Sequence, residues 1–382
     1  MSILETFFWA AVGAVIYIYA GYPLMMFIGA KITRRGVKRL TQEPTVSILI
    51  AAHNEVKHIE RTLDNILALD YNREKLQVIV VSDGSVDGTD ELVRGYADFG
   101  VVLLRQEPRN GKTAALNTAV AHATGEILVF SDANSLYELS ALKHLAGNFA
   151  DPAVGYVTGK LGYRNSDGSL TGDGCSMYMR YENFIRDCES EVGSLVGVNG
   201  GIDAVRRKLY TEMNPDDLPD LVLPLRVVAA GYRVVYEPAA LLTEDANNNP
   251  SDEYRMRVRV SLRAIWALSD MREMLNIRRY GFYAVQLLSH KALRYLAFAF
   301  IGCAFVTAAM LWNVGWIYKI AVITQLAFGL LALLGFIAER RGVRTTALSV
   351  PYYFALVNIA SLQAFVKFAR RQRHRVWNPR LG

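Results

Sequence analysis

The apolar residues of this 382-residue chain are concentrated at its two ends. Residues 7–30 carry no charge, and a helix of that length could cross a hydrocarbon core of about 30 Å. Three further apolar stretches occupy approximately residues 295–312, 314–338 and 346–366. The pattern therefore predicts transmembrane helices at both ends of the chain.

The charges around these stretches predict an orientation. Glu5 precedes the first stretch, whereas five lysines and arginines follow it within residues 31–39. A cleaved signal peptide would begin with basic residues and end at small ones. We therefore expect a retained anchor, with the domain that follows it in the cytosol.

The C-terminal topology contains a conflict. Three C-terminal spans would place the basic segment 367–380 outside, against the positive-inside tendency. Either that segment is an exception or one apolar stretch does not cross. The last stretch contains Pro351, Asn358, Ser361 and Gln363, so it is the one we expect to be re-entrant or to face a pore.

The middle of the chain alternates between short apolar runs and helical patterns. Strands are predicted at 46–52, 76–81, 101–105 and 126–131, and helices at 55–69, 87–96 and 112–123. Strands that alternate with helices indicate an α/β domain with a mainly parallel sheet.

Polar residues follow three of these strands. They are His53-Asn54-Glu55, Asp83-Gly84-Ser85 and Asp132-Ala133-Asn134. The carboxyl ends of parallel strands share one edge of a sheet, so a ligand cleft is predicted there. Ordinary turns and helix caps are the alternative. We expect Asp87 to cap the next helix and Asp83 to face a ligand.

Composition narrows the class of partner. The chain is 52% hydrophobic and has a formal net charge of +6. Its basic residues cluster beside the apolar stretches, so anionic lipid explains them and no nucleic-acid partner is expected. The three cysteines have neither metal-site spacing nor the pattern of a disulfide framework.

Six stretches between Val46 and Pro238 resemble, in order, the motifs of family 2 glycosyltransferases. They read VSILIAAHNE, IVVSDGSVDGT, RNGKTAALNTAV, TGEILVFSDAN, GVNGGIDAVRRKLY and DLPDLVLPLRVVAAGYRVVYEP. The resemblance implies the GT-A nucleotide-sugar fold. With the apolar ends, it extends to membrane-integrated polysaccharide synthases.

The resemblance also implies a donor site. Asp83 would accept a hydrogen bond from the nucleotide base, and Lys112 would reach the diphosphate from a helix N-terminus. An exposed loop lysine is the alternative for Lys112. The substrate-binding residues expected on this basis are Ala51, His53, Glu55, Asp83, Lys112, Asn117, Asp132, Gly200, Gly201 and Arg259.

Asp132 and Asn134 match the family's D-x-D metal motif, with Asn134 in place of the second aspartate. Oxygen ligands of this kind suit Mg²⁺ or Mn²⁺, which is the expected cofactor. The substitution removes one negative charge, which puts metal affinity in question. An Asx turn at the end of a strand is the alternative.

The resemblance places the catalytic base at Asp220, with Pro219 where the family has another acid. Asp216 and Asp217 are expected to be loop residues. If Asp220 is not the base, Asp217 and Glu244 are the next candidates. Gly200-Gly201 resembles the acceptor-side loop of the family. Glycine suits such a loop, because it lets a backbone approach a sugar closely. Arg206 and Arg207 fit the end of that motif, and Tyr178, Tyr181 and Glu182 are weaker acceptor-side candidates, since helix packing also explains them.

Residues 253–275 read as a basic amphipathic helix at the membrane interface, and 280–293 as a second interfacial stretch. The first occupies the place of the Q-x-x-R-W motif of processive synthases. Aligned on Arg259, it has Met256 for Gln and Val260 for Trp, which puts processive synthesis in doubt.

Together these features predict a multi-pass inner-membrane enzyme with a cytosolic catalytic domain. It would be an inverting glycosyltransferase that passes sugar from a nucleotide-diphospho-sugar, expected to be UDP-linked, to an extracellular or capsular polysaccharide. A single-addition enzyme with a lipid-linked acceptor is the alternative. A non-catalytic nucleotide-binding protein or transporter is disfavoured, because a binder needs no base. The predicted domains are an anchor (1–40), a GT-A domain (41–250), interface helices (251–293) and C-terminal spans with a basic tail (294–382).

Overall fold

The computed structural model of the chain describes residues 1–164, 170–245, 249–343 and 345–373. Residues 374–380 of the predicted basic segment lie outside this range. Contacts divide the described residues into two units. The sheet unit contains residues 29–164 and 182–244, and the helical unit contains residues 1–28, 170–181, 245, 249–343 and 345–373.

The strands form one eight-stranded sheet in the order β3-β2-β1-β4-β7-β6-β8-β5. In chain order their bounds are β1 Val46–Ala52, β2 Leu76–Asp83, β3 Val101–Gln106, β4 Ile127–Asp132, β5 Leu136–Tyr137, β6 Val154–Arg164, β7 Ile202–Arg206 and β8 Arg233–Asp245.

The sheet is mixed in orientation. Strand β1 pairs in parallel with β2 and β4, and β2 pairs in parallel with β3. Strand β7 is antiparallel to both β4 and β6, and β5 is antiparallel to β8. The predicted α/β class is confirmed, and the four strands predicted from sequence are the parallel part of the sheet.

Burial explains why the parallel strands were readable from sequence. All seven residues of β1 are buried, as are the last six of β2. Strands covered on both faces are continuous apolar runs. In the antiparallel part, β6 contains Gly159, where an added Cβ would lie 2.5 Å from the Ala240 carbonyl oxygen of β8. Glycine is therefore needed there for close approach of the two backbones.

The helices of the described residues surround this sheet or belong to the helical unit. Their bounds are α1 Ile3–Ile16, α2 Tyr22–Thr33, α3 Ile59–Leu67, α4 Thr89–Arg94, α5 Lys112–His122, α6 Ala141–Gly147, α7 Leu170–Val192, α8 Pro219–Ala229, α9 Pro250–Asp270, α10 Ile277–Tyr280, α11 Phe282–Leu287, α12 Leu293–Tyr295, α13 Ala297–Met310, α14 Trp316–Arg340 and α15 Thr346–Ala369.

Three helical segments among the described residues are long and apolar enough to cross a membrane: Ile3–Thr33, α14 and α15. A fourth would be the pair Phe282–Tyr295 and Ala297–Met310 if it formed one span, but the pair is bent by 61°. Candidate spans at both ends of the chain are thus confirmed. The break lies in the stretch predicted at 295–312, whereas α15 continues through Pro351.

Helix α9 is packed more completely than an amphipathic pattern suggests. Its predicted apolar residues Val258, Leu262 and Leu268 are buried, but so are Glu253 and Arg263. The Glu253 carboxylate accepts hydrogen bonds from Arg257 Nε at 2.8 Å and from the Tyr353 hydroxyl at 2.6 Å. These bonds join α9 to α15 within the helical unit. The interfacial position of α9 stays a prediction.

Candidate active site

The parallel register brings the three polar strand ends together. Ala51 near the end of β1 pairs with Val81 of β2 on one side and with Asp132 of β4 on the other. Asp83 ends β2 beside Gln106 of β3. The predicted residues Ala51, His53, Glu55, Asp83 and Asp132 therefore lie along one edge of the sheet unit.

Asp83 is fully buried, and its carboxylate is surrounded by protein donors. Gln106 Nε2 and the Asn110 amide donate to Oδ1 at 2.6 and 2.8 Å, and the Gly111 amide donates to Oδ2 at 2.9 Å. Arg109 Nε lies 3.7 Å from Oδ2. Asp83 therefore organises the loop between β3 and α5, and that loop leads directly into Lys112.

His53 connects the ends of β1 and β2. Its Nδ1 donates to the Asp83 carbonyl oxygen at 2.8 Å, an arrangement that fits the neutral ring. Burial, followed by the positive charge of Arg109, lowers the pKa of His53. His53 is therefore a neutral, buried link behind Asp83.

The residues after these strand ends form a braced turn. The Glu55 amide donates to Thr89 Oγ1 at 2.9 Å. Asp87 accepts from the Thr89 amide at 3.0 Å and from the Val56 amide at 3.1 Å. Asp87 satisfies an amide at the start of α4, but Gly88 occupies the N-cap position, so the predicted cap is wrong by one residue. This part of the motif builds the turn.

Lys112 is the first residue of α5 and follows Gly111, whose φ is +95°. Its ammonium group forms an ion pair and hydrogen bond with the Asp132 carboxylate. Burial lowers the pKa of Lys112, but Asp132, Asp220 and Glu244 outweigh that effect, and the net pKa is raised. Lys112 therefore carries a firm positive charge among carboxylates.

Asn117 lies on the same helix, but its side chain holds a different loop. Its Nδ2 donates to the Met213 carbonyl oxygen at 2.7 Å, and its Oδ1 accepts from the Tyr210 hydroxyl at 2.6 Å. Five helical positions separate Asn117 from Lys112, so the two side chains lie on different faces. The substrate-binding role of Asn117 stays a prediction, and its observed bonds support the fold.

Four carboxylates approach the Gly200-Gly201 turn, and we call them the carboxylate cluster: Asp132, Asp203, Asp220 and Glu244. A Cβ added to Gly201 would lie 3.0 Å from Glu244 Oε1 and 3.7 Å from Asp132 Oδ2. A Cβ added to Gly200 would lie 2.5 Å from Asp220 Oδ2. The two glycines therefore leave room for carboxylates drawn from β4, α8 and β8.

The donor set at Gly201 fits a hard divalent cation. Asp132 and Glu244 place carboxylate oxygens beside a space that any larger residue would fill, and Asn134 adds an amide oxygen nearby in sequence. Ser135 Oγ donates to Glu244 Oε1 at 2.8 Å. Within the described residues, no group of three or more His, Cys, Asp or Glu side chains is arranged to hold a metal ion by itself. A cation would therefore need further oxygen ligands from a substrate.

Asp220 is the second residue of α8, directly after Pro219. The Val198 amide donates to its carbonyl oxygen at 3.3 Å, which ties the start of α8 to the loop before Gly200. Asp217 has a different environment, because it accepts from the Asn214 amide at 3.0 Å and from Arg226 Nη2 at 3.4 Å. Asp217 thus braces its own loop, whereas Asp220 lies against the glycine turn.

Asp203 was not predicted from the sequence. It is buried within β7, and its Oδ2 accepts the Gly200 amide at 2.7 Å. Burial, and then the charge of Asp220, raise the pKa of Asp203 to about 7. The one available signal was an acidic residue inside an otherwise apolar strand, since buried charges are rare without a special reason.

The remaining predicted residues make other contacts or belong to the helical unit. Arg206 donates to the carbonyl oxygens of Val154 and Phe149, both at 2.8 Å, so it braces the sheet. Arg259 lies on α9 in the helical unit and is partly buried. Tyr178 and Tyr181 also belong to the helical unit, where both rings lie near the Arg294 guanidinium.

The architecture has a counterpart among solved structures. A mannosyltransferase from Pyrobaculum calidifontis, PcManGT, solved in complex with GDP-Man and Mn²⁺, is similar with a TM-score of 0.76 and 23% identity. The match covers 97% of this chain and 100% of that one. The fold is therefore that of the GT-A glycosyltransferases accompanied by membrane-type helices.

Sequence comparison places the domain more narrowly. Residues 47–213 match the model of Glycosyl transferase family 2. The poly-beta-1,6-N-acetyl-D-glucosamine synthase of Staphylococcus aureus (strain COL) is 29% identical over 51% of this chain and 48% of its own length. The probable glycosyltransferase YdaM of Bacillus subtilis (strain 168) is 29% identical over 59% of this chain and 56% of its own. The chain spans about half the length of the curated relatives it matches.

Proposed function

We propose that this protein is an inverting glycosyltransferase that uses a nucleotide-diphospho-sugar. The observation that carries the proposal is the arrangement around Gly200-Gly201. The partly buried Lys112 and Asp132 face the same strand edge as Asp220, whose carboxylate lies against Gly200. A protein that only bound nucleotides would not need an acid in that position.

The donor would lie along the carboxyl ends of β1, β2 and β4. Asp83 and His53 would shape the nucleoside end, and Lys112 would face the diphosphate, since an ammonium at a helix N-terminus favours phosphate. Asp132, Asn134 and Glu244 would hold Mg²⁺ or Mn²⁺. When bound, such an ion neutralises charge on the departing diphosphate.

Asp220 would act as the general base. Its carboxylate would accept the proton of the acceptor hydroxyl while that oxygen bonds to the anomeric carbon. The bond from that carbon to the diphosphate oxygen would break, and the nucleoside diphosphate would leave with the electron pair. Attack from the side opposite the leaving group inverts the anomeric centre. General-base assistance of this kind contributes about 10²- to 10⁴-fold in rate.

Two kinds of acceptor are compatible with these features. The polysaccharide synthase among the relatives and the candidate spans support an extracellular or capsular polysaccharide as product. Met256 and Val260, in place of the Q-x-x-R-W residues, favour the alternative of single addition to a lipid-linked acceptor. UDP-sugars are the first donors to test, and GDP-sugars the second, because PcManGT was solved with GDP-Man.

The catalytic domain would face the cytosol of an inner membrane, where nucleotide sugars are made. The bent pair ending at Met310 supports one solution to the predicted topological conflict. If that pair does not cross, Ile3–Thr33, α14 and α15 make three spans, and the basic C-terminal segment returns to the cytosolic side. Reporters after Arg39 and at Gly382 should then both be cytosolic. An external reporter after Arg39 would contradict the model.

The direct test uses the purified full chain in detergent or nanodiscs. It would be incubated with a panel of labelled UDP- and GDP-sugars plus membrane lipid extract, and the products would be sized. A long polymer supports the polysaccharide assignment, and a single labelled lipid supports the alternative. Binding of nucleoside diphosphate without transfer from any donor would overturn catalysis.

A further inference from the structure

Asp203 contributes a buried carboxylate that the mechanism above does not use. We propose that Asp203 is a positioning residue: through the Gly200 amide, it holds the turn against which the carboxylate of Asp220 lies. This inference rests on the proposed function and extends it to a residue outside the donor-site motifs.

The contact between Gly200 and Asp220 is close enough to be sensitive to small movements. Gly200 has a φ of +86°, a conformation that L side chains rarely adopt. A Cβ at Gly200 would lie between 2.5 and 2.7 Å from three atoms of the Asp220 carboxyl group. The bare backbone of Gly200 therefore forms the wall beside the base.

Asp203 connects this wall to the rigid part of the sheet. It is the second residue of β7, where it pairs with Phe130 of β4 and with Thr158 of β6. Its Oδ2 accepts the Gly200 amide at 2.7 Å. A charged acceptor strengthens such a bond, and the strand on each side prevents Asp203 from following a movement of the turn.

Neighbouring bonds hold the other side of the same turn. The Asn199 amide donates to Thr158 Oγ1 at 3.2 Å, and the Asn199 side chain donates to the Gly159 carbonyl oxygen. The Val198 amide reaches the Asp220 carbonyl oxygen at 3.3 Å. The Asp203 bond is the link that attaches Gly200 itself, between these two points.

The charge of Asp203 also supports Asp220 as the base, in addition to its bond to the Gly200 amide. The titratable groups that face it are Asp220 from α8, Tyr156 from β6 and Tyr137 from β5. A carboxylate beside Asp220 disfavours a second negative charge, so an ionised Asp203 makes Asp220 more ready to accept a proton. Position and charge can be separated, because an amide oxygen can replace the acceptor without the charge.

The experiment compares wild type with Asp203→Ala and Asp203→Asn in the purified full chain. Asp203→Ala should lower kcat by about 10²-fold, the scale of a misplacement near 1 Å, with UDP affinity nearly unchanged. Asp203→Asn should recover most of that loss, because its amide oxygen can still accept from Gly200. The acidic limb of its pH profile should move to lower pH, since the like charge beside Asp220 is gone.

Hydrogen–deuterium exchange over residues 195–204 gives a readout independent of turnover. The Gly200 amide should be protected in wild type and in Asp203→Asn, and should exchange faster in Asp203→Ala. Gly200→Ala should lower transfer as Asp203→Ala does, and the double variant should lose less than the two effects combined, because both act through one contact.

The outcomes separate this inference from the proposed function. Unchanged Gly200 exchange in Asp203→Ala overturns the inference, as does normal kcat despite faster exchange. Weakened UDP affinity with unchanged kcat assigns Asp203 to donor binding and also overturns it. Absence of transfer by wild type with every donor overturns the proposed function, and exchange still decides whether Asp203 holds the turn.

Discussion

Asp83 and Asp203 lie in the same sheet and are both buried, but different groups surround their carboxylates. Two backbone amides and a glutamine side chain donate to Asp83. Asp203 receives the Gly200 amide and lies near the charge of Asp220. Burial and the like charge of Asp220 favour the protonated form of Asp203. Asp83 is therefore fixed in its loop by hydrogen bonds, whereas Asp203 is placed to take up a proton.

This difference divides the sheet edge into two parts with different chemistry. The Asp83 carboxylate accepts hydrogen bonds from the protein before any ligand binds, so this part is suited to hold the loop before α5 in place. The part around Gly200 places carboxylates near Lys112, so it is suited to attract a cation and to move a proton. Binding and chemistry should accordingly respond to different substitutions.

The largest expected effect is on the chemistry side. Asp220→Asn should lower sugar transfer by about 10²- to 10⁴-fold, because the amide cannot accept the proton. Nucleoside diphosphate binding should be nearly unchanged, as expected for an interaction made in the transition state. Asp217→Asn is the matched control, since its carboxylate braces a loop. Near-normal transfer by Asp220→Asn would move the search for the base to Glu244.

Removal of divalent metal should have the next largest effect. EDTA should abolish transfer, and Mg²⁺ or Mn²⁺ should restore it, because the carboxylates at Gly201 would otherwise lack their cation. Mn²⁺ binding followed by electron paramagnetic resonance should be kept or strengthened in Asn134→Asp and weakened in Glu244→Gln. Full activity in the presence of chelator would show that transfer does not need a divalent metal.

The substitution Asp83→Asn tests whether the hydrogen bonds of Asp83 hold the loop before α5. The amide group would turn a donor toward one of the donors that now face Asp83, at a cost of about 1–3 kcal/mol. We expect a lower thermal midpoint and faster hydrogen exchange in residues 106–112. Asp98→Asn, at an exposed position, is the control. An unchanged loop would mean that the contacts of Asp83 contribute little.

A further effect is expected on the pH dependence of stability. The folded pKa of Asp203, about 7, exceeds its ordinary value of about 4, so the folded state holds a proton more tightly than the unfolded state. The stability from that proton is present below pH 4 and is lost as the pH rises to 7. Wild type should therefore lose thermal stability relative to Asp203→Asn between about pH 4 and 7. Parallel curves for the two proteins would contradict the raised pKa.

Sequence patterns predicted the parallel half of the sheet well. Strand β1 was placed at its observed bounds, and the other three parallel strands within two residues. Each is an apolar run that ends in turn residues, so burial and chain reversal are both visible locally. Strand β6 contains Gly155, Gly159 and Gly162, which weaken any local strand signal. Gly159 is needed for close approach to the β8 backbone and Gly155 for close approach of neighbouring side chains, and both needs arise only in the folded chain.

The site shows the same division. The polar ends of β1, β2 and β4 were predicted to converge because the register of a parallel sheet follows from strand order. The partners of Asp83 lie 23 to 28 residues later in the chain, and the contacts of Gly201 include Glu244, from the last long strand. Such contacts join residues that are distant in the chain, so local sequence patterns do not predict them. The raised pKa of Asp203 likewise depends on a neighbour from α8.

The most direct test of this division is to titrate UDP, in the presence of Mg²⁺, into wild type, Asp83→Ala and Asp220→Asn by calorimetry. Radiolabelled sugar transfer would be measured on the same samples. We predict that Asp83→Ala loses UDP binding, because the loop leading to Lys112 is released, and that Asp220→Asn binds UDP like wild type yet transfers almost no sugar. Equal loss of binding in both variants, or near-normal transfer by Asp220→Asn, would contradict the account.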